Sequence, residues 1–309
     1  MATASFLHCT SQKSSLSSLF RSDLHRRSPS VKCSRPMKMK VTMSVDNRSY
    51  WAVMEADIKA HLKQAIPIHP PLSVTEPMDH LIFAAPRSLA PALCIAACEL
   101  VGGQRNQAIA AASALHLMHA ALYTHEHLPL SKPKPKTKPT IYHSFKPNIE
   151  LLTGDGILPL GLELLARSDE PTIKNSGRIL RVIIEITRAV GSQGMLDGLY
   201  LENKCSGSDG GDDLCDVGWM AHVGEKKVGE FYACGAACGA ILGEGSEEEI
   251  EKLRKFGFYV GMIHGMVLFG RDSRYEDKKL LEVVEGFRVL ALKELEGFKE
   301  KQILETILE

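Results

Sequence analysis

The feature that most constrains the fold is the spacing of apolar residues, which is helical in nearly every periodic segment after residue 45. In residues 49–66 the apolar side chains Trp51, Met54, Ile58 and Leu62 recur every three or four positions, so they share one helix face. The same spacing predicts helices over 91–103, 105–127, 149–166, 176–191, 225–245, 247–269 and 276–298. No stretch of the sequence alternates apolar and polar residues as a half-buried strand does. The sequence therefore predicts an all-α fold, a single large bundle of antiparallel helices.

Two of the predicted helix boundaries carry local signals. Gly102-Gly103 follows the segment 91–101, and glycine takes the left-handed conformation that ends a helix at little cost. Ser246 and Glu249 are three residues apart, which is the spacing of a capping box at a helix start. These signals separate the segments 91–103 and 247–269 from their neighbours.

The first 45 residues differ in composition from the rest of the chain. They hold eight basic residues and eleven serines but a single acidic residue, Asp23. This composition is typical of a transit peptide, so we expect residues 1–45 to be a leader and 46–309 to be the folded domain. Without the leader the net charge would be −7, which disfavours nucleic acid and anionic membranes as partners. No apolar run approaches the roughly 18 residues of a membrane span.

The most reactive-looking stretch, His125-Glu126-His127, does not match a known metal motif. The two histidines are two residues apart and point in different directions on a helix, unlike the pair in HExxH. His116 and His119 share a face, but no carboxylate is placed beside them. Solvated or buried histidines are the favoured interpretation.

Two CxxxC pairs, Cys94/Cys98 and Cys234/Cys238, place their sulfurs on one face of each helix. A metal site is disfavoured because the pairs lack CxxC-type spacing, whereas cysteine is common as a small buried apolar residue. Every side chain in the segment "CGAACGA" (234–240) is small, so another helix can approach it closely. The spacing leaves open whether that helix belongs to the same chain.

Several stretches together resemble the trans-prenyltransferases, or isoprenyl diphosphate synthases, over roughly residues 48–298. They are "LCIAACELVGG" (93–103), "HLMHAALYTHEHLP" (116–129), "LLTGDGILPLGLELLA" (151–166), "GMLDGL" (194–199) and "GAILGEGSEEEIEKLRKFGFYVG" (239–261). The resemblance implies the isoprenoid synthase type of helical bundle and a dimeric assembly. It also implies two aspartate-rich motifs whose carboxylates hold the Mg²⁺ ions that clamp an allylic diphosphate.

Both aspartate-rich motifs depart from the family pattern. The resemblance places the first motif on Glu126, His127 and Lys132 and the second on Leu268, Phe269 and Asp272. Two carboxylates therefore remain in all, one for each motif, and an apolar pair stands where the second motif binds metal. The implied result is that this chain has no catalytic residue, no metal site and no cofactor of its own.

The residues that grip diphosphate in the family are also reduced. In segment 85–91 one basic residue remains, Arg87, where the family has three. The family's Lys-Thr element becomes Lys227-Val228, and its Phe-Gln pair becomes His264-Gly265. Arg87 and Lys227 are thus the residual candidates for diphosphate binding.

The chain resembles the non-catalytic small subunits of plastidial heterodimeric synthases in its lost motifs, its two CxxxC pairs and its leader. That resemblance implies a chloroplast stroma location and a geranylgeranyl diphosphate synthase-like large subunit, which supplies the Mg²⁺ site of a heterodimer or higher heteromer. It also implies partner-binding roles for Cys94, Cys98, Cys234 and Cys238. In the type I group the complex shifts toward geranyl diphosphate, made from dimethylallyl and isopentenyl diphosphate for monoterpenes.

Three alternatives stay open at this point. A type II small subunit has the same fold and partner but raises geranylgeranyl diphosphate output. An active homodimeric prenyltransferase would have to use Glu126 and Asp272, and a binding module would serve another plastid enzyme. The sequence also leaves open the partner's identity, the stoichiometry, the cleavage site and the role of the Lys/Pro loop 131–139.

Overall fold

The computed structural model describes residues 45–128, 143–169, 175–207, 217–270 and 277–308. These residues contain twelve α-helices and no strand. The helices are α1 (Val45–Ala65), α2 (Leu72–Ala84), α3 (Ala90–Leu100), α4 (Arg105–His127), α5 (Pro147–Ala166), α6 (Ser176–Val190), α7 (Met195–Gly207), α8 (Val217–Gly224), α9 (Glu230–Leu242), α10 (Glu247–Gly270), α11 (Asp277–Glu294) and α12 (Gln302–Glu305). A π-helical turn, Glu225–Gly229, joins α8 to α9, and a 3₁₀ turn follows α12. The predicted all-α class is confirmed. Lys132, Asp272 and the loop 131–139 lie outside the described residues, as does nearly all of the predicted leader.

Helices α3, α4 and α9 form the centre of the bundle. Every residue of α9 from Phe231 to Leu242 is buried, and α9 packs against α3, α4, α6 and α10. Small side chains make this possible, because alanine, glycine and cysteine let several neighbours approach one helix at once. None of the described helices is long and apolar enough to cross a membrane.

The helix that approaches the small-residue segment 234–240 is α3 of the same chain. A Cβ on Gly235 would lie 2.5 Å from the Ala90 carbonyl oxygen, and one on Gly239 would lie 1.9 Å from that of Cys94. The contacts advance in the same direction along both helices, so this central pair runs parallel. In this pair the structure differs from the predicted antiparallel arrangement, because the long connection between α3 and α9 lets the chain return in either direction.

Both predicted boundary signals are confirmed. Gly102 has φ +92° at the end of α3, and the Gly103 N–H donates to the Cys98 carbonyl oxygen at 2.9 Å. At the start of α10 the Glu249 N–H donates to Ser246 Oγ at 3.3 Å, and the Ser246 N–H donates to Glu249 Oε2 at 2.8 Å. These caps set the turns that bring α3 onto α4 and α9 onto α10.

Candidate functional site

One buried lysine connects the first degenerate motif, at the end of α4, to α7. Lys227 Nζ lies 2.7 Å from Glu126 Oε1 at the end of α4 and 2.5 Å from Glu202 Oε2 on α7. The Lys227 side chain is only 10 % exposed. The remaining carboxylate of the first motif is therefore held by an ammonium group.

The local backbone explains how Lys227 reaches this position. It lies on the π-helical turn Glu225–Gly229, and such turns are frequent at functional sites. Helix α7 passes directly beside the turn at Gly198, where a Cβ would lie 2.6 Å from Lys227 Cγ. A larger residue at 198 would push α7 away from the turn, and Glu202, one helical turn further along α7, would move with it.

Lys227 carries its charge in this setting. Burial disfavours the ammonium, but the charges and hydrogen bonds of Glu126 and Glu202 outweigh it, so the pKa of Lys227 lies above its usual value. A buried lysine with two carboxylate partners is a compact positive charge within the bundle. The Glu126 carboxylate is ion-paired with this ammonium.

The neighbouring position of the first motif, His127, faces its own helix. Its ring stacks on Tyr123 at a centroid distance of 4.0 Å, and Nδ1 lies 2.9 Å from the Tyr123 carbonyl oxygen. His125 instead contacts α5, with Nε2 3.3 Å from Asp155 Oδ1. Within the residues that the structure describes, no three His, Cys, Asp or Glu side chains are grouped so that they could hold a metal ion.

The two upstream histidines are buried and bind backbone carbonyl groups. His116 Nε2 lies 3.0 Å from the Ile82 oxygen, and His119 Nε2 lies 3.1 Å from the Pro86 oxygen. Burial lowers the pKa of His119 to about 4, so this imidazole is neutral at physiological pH. Both rings thus tie α4 to the segment that ends α2 and precedes α3.

The second motif lies at the end of α10. Leu268 is 46 % exposed, and Phe269 follows it in the last turn of that helix. Mg²⁺ requires several hard oxygen ligands in near-octahedral geometry. The described motif positions offer an alkyl chain, an imidazole turned to its own helix and one carboxylate already paired with Lys227. These residues do not fit a Mg²⁺ ion.

The two residual cations have different surroundings. The Arg87 side chain is 85 % exposed and pairs with Glu55 on α1 at 2.8 Å, whereas Lys227 is nine-tenths buried. The loop around Arg87 is fixed by the Leu89 N–H, which donates to the Tyr232 hydroxyl at 3.2 Å. That hydroxyl also lies 2.6 Å from His264 Nδ1, so the residue that replaces the family's Phe ties α10 to α9.

The four cysteines of the two CxxxC pairs are buried in the interior of the bundle. They are between 0 and 2 % exposed, and none forms a disulfide. Burial raises the pKa of Cys94 and Cys238, and it raises the pKa of Cys98 to about 12, so these thiols stay protonated. Side chains this deeply buried do not themselves touch a partner. Their predicted role in pairing stays a prediction, and it has to act through the position of α3 and α9.

A set of exposed apolar side chains on α5, α6 and α7 was not identified from the sequence. Five large apolar side chains are 45 to 71 % exposed there: Leu152, Leu180, Ile184, Leu196 and Tyr200. Leu180 and Ile184 are four residues apart and share a face of α6, as Leu196 and Tyr200 do on α7. The sequence did contain a signal for the outward face of α6. Leu180 and Ile184 are apolar, yet they do not share the helix face of the buried residues Ile179, Val182 and Ile186.

Known proteins similar to this chain include small subunits of heterodimeric prenyl diphosphate synthases. The chain is 50 % identical over 276 residues to the chloroplastic heterodimeric geranylgeranyl pyrophosphate synthase small subunit 2 of Cannabis sativa, covering 87 % of this chain and 95 % of that protein. The crystal structure of the geranyl diphosphate synthase small subunit from Antirrhinum majus matches with a TM-score of 0.76 and 51 % identity, covering 86 % of this chain and 99 % of that one.

A third relative is a chain of a mint deletion mutant of heterotetrameric geranyl pyrophosphate synthase, solved with ligands. It matches with a TM-score of 0.74 and 49 % identity over 84 % of this chain and 98 % of that one. No family model matches the chain. Its helical fold and these similarities, which cover 84 to 87 % of the chain, show that the chain belongs to the trans-prenyltransferase family, among the small subunits of heterodimeric prenyl diphosphate synthases.

Proposed function

We propose that this chain is a non-catalytic plastid subunit that binds a geranylgeranyl diphosphate synthase-like large subunit and shifts the complex toward geranyl diphosphate. The observation that carries the proposal is the Lys227–Glu126 pair, at 2.7 Å, where an active relative would hold Mg²⁺. The alkyl group of Leu268 at the second motif supports it. Isopentenyl and dimethylallyl diphosphate would then react at the Mg²⁺ site of the large subunit.

The absence of catalysis is argued from charge. A departing diphosphate needs cations to neutralise its developing negative charge. In this chain the buried Lys227 is committed to two carboxylates, and Arg87 faces solvent with Glu55 as its partner. Apart from Glu126, none of the motif positions that the structure describes, which are His127, Leu268 and Phe269, offers a hard oxygen ligand. An active homodimer built on Glu126 and Asp272 is correspondingly disfavoured.

The proposed partner surface is the exposed apolar face of α5, α6 and α7. Tyr200 is 71 % exposed and Leu180 is 59 % exposed, and monomeric proteins seldom leave such a series of large apolar side chains in water. The relatives named as heterodimeric or heterotetrameric synthases support a partner on this chain. Packing there would let this chain press on the helices that line the partner's product pocket, which would favour release of the ten-carbon product.

The chloroplastic names of relatives such as the Cannabis small subunit, together with the Ser- and Arg-rich residues 1–45, support import into the plastid. A second candidate function follows from the same names. The geranylgeranyl pyrophosphate synthase small subunits of Cannabis sativa are as similar to this chain, at 50 and 51 % identity, as the solved geranyl diphosphate synthase small subunit of Antirrhinum majus, at 51 %. A type II role, raising twenty-carbon output, therefore has the same structural basis and differs only in product.

The partner surface is tested by changing its most exposed member. Tyr200→Glu places a charge on the proposed interface, and we expect co-purification with a plastid large subunit to fall at least about tenfold. Val289→Glu is the matched control, because Val289 is also exposed, at 58 %, but lies on α11. Equal loss of partner binding by both variants, or by neither, would show that the interface lies elsewhere.

A further inference from the structure

A cleft opens at the end of α6, beside the exposed apolar face of that helix. It has a volume of about 310 Å³ and is lined by Ile184, Thr187, Arg188, Gly191, Ser192 and Gln193. Ile184 is 45 % exposed and belongs to the proposed partner surface as well. The cleft is therefore continuous with that surface and adds polar groups to its edge.

The turn that forms one wall of the cleft is fixed by its packing on α6. The Gly191 N–H donates to the Thr187 carbonyl oxygen at 3.0 Å, and the Gly194 N–H donates to the Gly191 oxygen at 3.1 Å. A Cβ on Gly194 would lie 1.9 Å from a carbonyl oxygen of α6, so the chain turns back close against the helix. Lys226 Nζ, from the π-helical turn, donates to the Gln193 carbonyl oxygen at 3.3 Å. The cleft is thus formed before any partner binds.

Arg188 supplies the positive charge of this cleft. Helix α6 has two further arginines, and both are engaged by glutamates. Arg178 lies 2.9 Å from Glu244, and Arg181 donates to both carboxylate oxygens of Glu247. Arg188 is exposed, and its guanidinium makes no ion pair with the residues that the structure describes. Its donors are therefore available to a group from outside the chain.

An exposed arginine at the edge of an apolar face favours an acidic group on the molecule that covers that face. The planar guanidinium matches a carboxylate, which it can bind with two parallel hydrogen bonds. A free anion would stay hydrated in so open a cleft, because exposed ion pairs contribute little by themselves. A carboxylate carried by a docked protein is held in place by the neighbouring apolar contacts. The cleft therefore fits an aspartate or glutamate side chain of a partner.

We infer that Arg188 and its cleft receive an acidic side chain of the large subunit, next to apolar contacts with Leu180 and Ile184. The ion pair orients the partner on α6 and selects for it, because charge complementarity governs association rate and specificity more than affinity. This inference rests on the proposed function, since it needs the large subunit to cover α6. It adds the requirement that the large subunit presents an aspartate or glutamate there.

The test measures the binding of full-length variants to a plastid large subunit by surface plasmon resonance. Arg188→Glu brings like charges together, and we expect the dissociation constant to rise at least about tenfold in about 50 mM NaCl. Arg188→Gln removes the charge and should raise the dissociation constant about threefold. Both effects should shrink in about 500 mM NaCl, because salt screens exposed charges. A loss of equal size at both salt concentrations would show that Arg188 acts through packing and would overturn the inference.

Arg288→Glu is the matched control. Arg288 lies on α11, its side chain is 41 % exposed, and it pairs with Glu285 at 3.7 Å. The substitution changes the net charge as much as Arg188→Glu does, so the variant should bind the large subunit within about twofold of wild type. An equal loss in both variants would reveal a general charge effect and contradict the inference. Circular dichroism shows whether each variant is folded, and if Arg188→Glu is not, Arg188→Gln at the two salt concentrations decides.

Tyr200→Glu separates this inference from the proposed function. If Tyr200→Glu loses the large subunit while Arg188→Glu binds it like wild type, the inference is wrong and the partner surface stands. If both variants bind like wild type, the partner surface lies elsewhere and the inference fails with it. The inference is also overturned if about 10 mM inorganic phosphate raises the melting temperature of the isolated wild-type chain but not that of Arg188→Gln, which would assign the cleft to a free anion.

Discussion

Gly239 on α9 is a position where one added methyl group should strongly perturb the packing of two helices. A Cβ there would lie 1.9 Å from the Cys94 carbonyl oxygen and 3.0 Å from the Cys98 backbone nitrogen. Both are backbone atoms of α3, so no flexible side chain can move aside. Helix α3 would have to retreat by about 1.4 Å to restore a carbon–oxygen separation of about 3.3 Å.

The cost of that shift outweighs the gain in helix propensity. Replacing glycine by alanine inside a helix contributes up to about 1 kcal/mol, whereas overpacking a closed interior costs about 1–3 kcal/mol or more. The shift also opens the contacts around Cys94, Cys98 and Cys238, all fully buried. We expect Gly239→Ala to lower the free energy of unfolding by about 2–4 kcal/mol and the melting temperature by about 5–10 °C.

Gly156→Ala supplies the matched control. Gly156 lies within α5, and a Cβ there would meet no atom within 4 Å. This variant should equal wild type or gain up to about 1 kcal/mol. Urea unfolding and thermal melts followed by circular dichroism measure both. A Gly239→Ala variant within about 0.5 kcal/mol of wild type would refute the parallel α3–α9 packing described above.

Two further predictions concern pH and helix capping. His119 is buried with a pKa of about 4, below its usual 6.5, so the unfolded chain binds a proton that the folded chain excludes. The contribution of His119 to the free energy of unfolding is therefore constant above pH 6.5. As the pH falls from 6.5 to 4, the free energy of unfolding falls by about 1.4 kcal/mol per pH unit. His119→Gln should flatten this slope in urea titrations, and an unchanged slope would contradict the assignment. Ser246→Ala removes the hydroxyl that caps α10 and should lower the free energy of unfolding by about 1 kcal/mol, measured by thermal melts. The control is Ser176→Ala, which removes a hydroxyl that contacts Asp169 at an exposed position and should lower the free energy of unfolding by less than half as much.

Periodicity predicted the long helices well because their apolar stripes are continuous. Helix α4 begins and ends at the predicted residues, Arg105 and His127, and α6 and α10 lie within one residue of their predicted bounds. Helix α2 was missed because Pro77 lies inside it and Pro70-Pro71 precede it, and prolines ordinarily indicate a break. The π-helical turn at Glu225–Gly229 was also missed, because its local sequence has ordinary helical composition.

Only some residues of the candidate site could be predicted from the sequence. Family resemblance identified Glu126 and Lys227 separately, but nothing in their spacing indicates that they form an ion pair. Glu202 was not considered, although it stands four residues after Gly198 on one face of α7, and its role requires the packing of α7 on the π-helical turn. The cysteines were recognised as small and buried, whereas the close packing of α9 on α3 of the same chain required the fold.

The most direct test of the central claim is one product assay with three samples. Isopentenyl and dimethylallyl diphosphate with Mg²⁺ are supplied to this chain from residue 46, to a plastid geranylgeranyl diphosphate synthase large subunit, and to the two co-purified. We predict no product from this chain alone and a shift from geranylgeranyl to geranyl diphosphate in the mixture. More geranylgeranyl diphosphate in the mixture would assign the type II role. Turnover by this chain alone would contradict the account.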